Sequence, residues 1–125
     1  MAKSLYLKGF NSQFNDFMND LITVYPDKNQ FLKYKTNIET LSKSNPSLMI
    51  KYWNNYAGKY SDKIENEDVS FFLEKDYSGD LKSNEYLSFI NYIKELFNTM
   101  DNNNKEKTVK YVKNLTKLSS LYANS

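Results

Sequence analysis

The chain has 125 residues and a net charge of +2, with seventeen lysines against fifteen acids and no arginine, histidine or cysteine. Those absences exclude imidazole general bases, thiolate nucleophiles, Cys/His zinc sites and disulfides, and with them bidentate guanidinium recognition of phosphate or guanine. The length is that of one domain, able to bury roughly two thirds of the surface its unfolded form exposes without metal or cross-link.

Eleven tyrosines, eight phenylalanines and one tryptophan stand against three alanines and four valines, so the core is expected to be aromatic. Phenylalanines fill interiors, whereas tyrosines sit at their rims with the ring buried and the hydroxyl wet. Residues 1–10 read as a loosely ordered lead-in. Met1 to Lys8 lack the apolar run of a secretory signal, and Ala2 excludes myristoylation. No stretch approaches the roughly 18 apolar residues of a membrane span.

From Asn11 to Tyr25, Phe14, Phe17, Met18, Leu21 and Ile22 fall on one arc at helical spacing, and Pro26 stops the run. A second helix opens at Asp27, with Gln30 completing a capping box, and carries Phe31, Tyr34, Ile38 and Leu41 as its stripe. Asn45 caps a third helix with Pro46 in its first position and Leu48, Met49, Tyr52, Trp53 and Tyr56 inward. Ile64 fits a short helical turn. Asp68 can cap 69–75, which reads as a short helix in preference to a strand, and Tyr77 to Asp80 form a turn. A fifth helix over about 83–100 places Tyr86, Phe89, Ile90, Ile93, Leu96, Phe97 and Met100 on one face. The last, about 104–122, is capped by Asn103 and Glu106 and buries Val112, Leu115, Leu118 and Tyr122. The expected fold is all-α: one compact domain over 1–125, built from five or six short-to-medium amphipathic helices.

Few constellations carry chemistry. The loop starting at Asp76 has Leu81 and Leu87 where a calcium loop needs Gly and Glu, so no metal site is expected. Seven acids between 62 and 80 read as a solvated surface. Three glycines cannot build a phosphate cradle, no Ser-x-x-Lys exists, and no cofactor, small-molecule substrate or catalytic residue is indicated. Lys110, Lys113 and Lys117 share one face of the last helix and could track a phosphate backbone, with bases stacking on exposed tyrosines. Val69, Phe71, Phe72 and Leu73 form the densest apolar cluster outside the regular helices, and Phe71, Phe72 and Tyr77 are candidates for protein binding.

The runs Phe71-Phe72-Leu73-Glu74-Lys75-Asp76-Tyr77 and Lys110-Tyr111-Val112-Lys113-Asn114-Leu115-Thr116-Lys117-Leu118 resemble strings in short uncharacterised proteins of nucleocytoplasmic large DNA viruses, of the mimivirus and phycodnavirus type. Phe14-x-x-Phe17-x-x-Asp20-Leu21-Ile22-x-x-Tyr25-Pro26 and Asn45-Pro46 with Trp53 share that style, and the resemblance spans about 14–122. Seventeen asparagines beside the seventeen lysines fit an A/T-rich genome. The resemblance implies a viral source and a virion or viral-factory location; it carries over no active site. The expectation is a non-enzymatic interaction protein, a virion component or assembly adaptor that works through aromatic and lysine-bearing helix surfaces. It would bind a protein partner or itself, away from membranes, in the host cytoplasm, the viral factory or the virion. The alternative is a nucleic-acid accessory protein for replication, packaging or transcription.

Overall fold

Leu7, Phe10, Phe14, Phe17 and Leu21 recur at steps of three and four, the repeat that keeps side chains on one helix face. In a computed structural model, which describes residues 2–57, 61–66 and 85–125, they form the inner stripe of α1 (Ala2–Val24). The helix therefore starts at Ala2 rather than at the expected Asn11, and 2–10 are not a loose lead-in: Phe10 is fully buried. Gly9 is tolerated inside it because it faces Leu118, whose methyls would lie 3.5 Å from an added Cβ. Docking of the first turns outweighs the glycine's propensity cost of about 1 kcal/mol.

Tyr25 donates its N–H to Leu21 O, closing α1 before Pro26. α2 (Asn29–Ser44) has Lys28 at its N-cap, which offers no side-chain bond, so the expected Asp27–Gln30 box is not made. The turn Tyr25 to Lys28 is instead held by the Lys28 N–H on Tyr25 O, and this backbone geometry sets the cap one residue later. Asn45 ends α2 through its N–H on Leu41 O. Its carbonyl receives the Leu48 N–H and its amide oxygen receives the Ser47 hydroxyl. α3 (Leu48–Ala57) follows, two residues beyond the expected start at Pro46. Ile64 is buried on the short α4 (Ser61–Glu65). α5 (Glu85–Phe97) buries Phe89, Ile93, Leu96 and Phe97 as its spacing predicts, and Met100 just beyond it. α6 (Asn102–Ala123) is capped by Asp101, whose carboxylate accepts the Asn104 N–H at 2.8 Å. The cap is therefore Asp101 and not Asn103. The expected helix over 69–75 and the turn Tyr77 to Asp80 lie outside the described residues.

The most extensive pairing joins α1 to α6. Lys3 Nζ lies over the Tyr122 ring at 4.9 Å, Gly9 meets Leu118, and Phe17 stacks on Tyr111 at 4.9 Å, so the two helices run antiparallel. α2 runs back along the other flank of α1, joined by Lys35 to Asn19 and by Asn11 to the Pro46 carbonyl. α3 crosses onto α6, where Trp53 Nε1 donates to Thr116 Oγ1 at 3.0 Å. α5 closes the core against α2 through Phe31–Tyr92 and Tyr34–Phe89.

Phe89 is the centre of this core. Phe14, Phe17 and Tyr34 all meet its ring edge to face, at 5.4, 6.2 and 5.7 Å. The core also admits hydroxyls on α6. Thr108, Thr116 and Ser119 are buried, and each donates to a carbonyl of its own helix: Asn104 O, Val112 O and Thr116 O. That local bond removes the penalty of burying an unpaired polar group. All described elements are helices, and the buried apolar side chains of α1 through α6 form one continuous cluster. Among the described residues no helix is long and apolar enough to cross a membrane.

Candidate functional site

The clearest concavity lies where α1, α2 and the start of α3 diverge. Phe14 and Met18 from α1, Ile38 from α2 and Met49 from α3 form its floor, all turned inward by helical spacing. Its rim is polar and asymmetric. α1 contributes the amides Asn11 and Asn15, while α2 contributes Lys35, Glu39, Ser42 and Lys43. The cleft holds about 310 Å³, at the lower end of the range for small-molecule sites. Lys35 Nζ is already engaged, donating to Asn19 Oδ1 at 2.8 Å and lying 3.9 Å from Glu39 Oε1. The sequence reading missed this cleft, because its walls come from three helices and each wall residue alone reads as core.

A second surface is the outer face of the α1–α6 pair. Lys110 and Lys117 are exposed and Lys113 half-exposed, on the side of α6 opposite Val112, Leu115 and Ser119, so the spacing argument for a lysine stripe holds. The tyrosines that would have served as stacking platforms are occupied. Tyr111 packs on Phe17 and donates its hydroxyl to Asp20 Oδ2 at 2.9 Å. Tyr122 lies under Lys3. Tyr6, Tyr25, Tyr52 and Tyr92 are half-buried and Tyr34 is buried, the rim placement expected of tyrosine. Burial first, then the bond to Asp20 and the negative charge of Asp20 and Asp16, pushes the Tyr111 hydroxyl up to about 12. Burial also raises Tyr25 and Tyr92.

Leu5 is 68% exposed on α1 and Leu121 38% exposed on α6. Because the helices run antiparallel, with Lys3 against Tyr122, both leucines fall at the same end of the pair. Leu5 lies half a helical turn from the inward line of Phe10 and Phe14. Leu121 continues the outward line of Lys110 and Lys117. The two therefore stand on one outer face, with Leu118 between the helices. Leu32 and Leu41, also exposed, point away from each other on opposite sides of α2. The sequence reading did not mark Leu5, since it lies in the presumed lead-in.

Phe71, Phe72 and Tyr77, the expected protein-binding cluster, lie outside the described residues, as do Glu67, Asp68, Glu74, Asp76 and Asp80. Among the described residues no three acids gather in a way that could hold a metal ion. Compared with protein-family models, curated proteins and solved structures, the chain matches no family model, no curated protein and no solved structure.

Proposed function

We propose that this chain is a non-enzymatic interaction protein that engages a protein partner through the outer face of α1 and α6. The observation that carries this reading is the pairing of Leu5 and Leu121 on a face otherwise bearing lysines. Exposed apolar side chains grouped within a polar surround mark protein contact surfaces. The A/T-rich residue usage and the resemblance described above support a large DNA virus as source, with the virion, the viral factory or the host cytoplasm as location. The nucleic-acid reading uses the same face through Lys110, Lys113 and Lys117. It is weakened because Tyr111 and Tyr122 offer no free ring for base stacking and the chain has no arginine.

The two readings separate by salt. Affinity purification from the source organism with the wild-type chain and with L5E/L121E, washed at about 0.15 and about 0.5 M salt, is the test. A protein retained at both salts by the wild type and lost by the variant supports the proposal. Capture of nucleic acid that the variant retains and that high salt releases refutes it.

A further inference from the structure

We infer that the cleft between α1, α2 and α3 is a binding site for a small carboxylate carrying an apolar body of about eight carbons. This site is independent of the proposed protein-contact face, since it lies on the flank of α1 turned away from α6. Its volume sets the size of the ligand. At about 310 Å³ the cleft stands at the small end of the roughly 300–1,000 Å³ spanned by small-molecule sites, which suits a ligand smaller than a nucleotide or an extended lipid. The floor sets the body of the ligand. Phe14, Ile38 and the two methionines Met18 and Met49 present only carbon and thioether, and methionine adapts its shape to an irregular apolar guest.

The rim sets the head group. Two ammonium groups and one carboxylate border the mouth, and the carboxylate is already answered. Glu39 stands beside Lys35, which also donates to Asn19. Lys43 forms no ion pair among the described residues and is the cation left over at the mouth. The Asn15 amide and the Ser42 hydroxyl border the same opening and can donate to a carboxylate held there. An amine would meet the surplus positive charge, and an alcohol would gain nothing from it. A charge-assisted bond at the mouth with an apolar body beneath is the usual division of labour in such a site.

The probe is sodium octanoate, titrated into the isotope-labelled full chain and followed by amide chemical shifts, with octan-1-ol and octylamine as comparators. The expected result is saturable shifts at cleft residues of α1, α2 and α3, with a Kd of about 1 mM or tighter. Octanol and octylamine should bind at least about fivefold more weakly. Lys43→Glu should weaken octanoate about tenfold while leaving octanol unchanged. Asn15→Trp, made at an exposed position whose new ring fills the mouth, should abolish binding in a chain whose circular dichroism shows it still folded. Absence of saturable cleft shifts, equal affinity for octanol or octylamine, or an unchanged octanoate Kd in Lys43→Glu would each overturn the assignment.

Discussion

Phe89→Ala tests whether the aromatic core is organised around one ring. The side chain is fully buried and receives the edges or faces of Phe14, Phe17 and Tyr34. Removing a buried phenylalanine to alanine costs about 3–5 kcal/mol in transfer and cavity terms. Edge-to-face pairs add about 0.5–1.5 kcal/mol each beyond burial, which puts this site at the upper end. Alanine's better helix propensity on α5 returns about 0.5 kcal/mol. The net expectation is a loss of about 4 kcal/mol, a large share of the roughly 5–15 kcal/mol typical of a domain. Phe89→Leu keeps most of the apolar volume and loses mainly the ring–ring part, so it should cost about 2 kcal/mol. Urea melts followed by circular dichroism at 222 nm measure both; with m about 2 kcal/mol/M, the alanine variant's midpoint falls by about 2 M. A loss under about 1 kcal/mol for Phe89→Ala, at unchanged m, would refute the central placement of α5.

Gly9→Ala should stabilise the chain by about 0.5–1 kcal/mol, since the new methyl finds ordinary contact with Leu118 and the helix loses a glycine. If 2–10 were unstructured, thermal melts would show no gain. Asp101→Ala should cost about 1 kcal/mol by leaving the Asn104 N–H without its cap, whereas Asn103→Ala should change little. Tyr111 is expected to ionise near 12 in an absorbance titration, against the ordinary tyrosine value of 10.0. Its folded pKa is raised, so its contribution to stability is complete below the unfolded value of 10.0 and is lost as pH rises toward about 12. Tyr111→Phe should cost about 1 kcal/mol at neutral pH and remove that alkaline component; a titration with every tyrosine ionised by pH 10.5 would contradict the Asp20 bond.

The inner faces were legible because phenylalanine and leucine repeat at helical steps with little noise. Phe14, Phe17, Leu21, Phe89, Ile93 and Phe97 are where spacing puts them. The first turns of α1 were missed because Lys3, Ser4, Lys8 and Gly9 dilute the repeat, although Leu7 and Phe10 continue it. Caps were misplaced for a different reason. Asp101, Asn102, Asn103 and Asn104 are all competent N-cap formers, and only backbone geometry selects Asp101. Thr116 and Ser119 went unmarked because hydroxyl side chains carry no inward signal, yet each satisfies its hydroxyl on its own helix and can go inside. The cleft was illegible in principle. Met18, Ile38 and Met49 look like ordinary core, and the space beside them comes from how three helices splay.

The α1–α6 pairing also sets when the fold can form. Asp20 and Tyr111 meet across 91 residues, so α1 cannot gain α6 as its partner until those residues have been made. At ribosomal rates of about 5–20 residues per second, the interval is roughly 5–20 s. Throughout it the apolar stripe of Phe10, Phe14 and Phe17 stays wet or leans on provisional neighbours. Closing so long a loop also slows refolding relative to bundles built from sequence-adjacent hairpins. The same phenylalanines that anchor the finished core are therefore the surface the nascent chain leaves exposed longest, and its yield in expression should respond to translation speed.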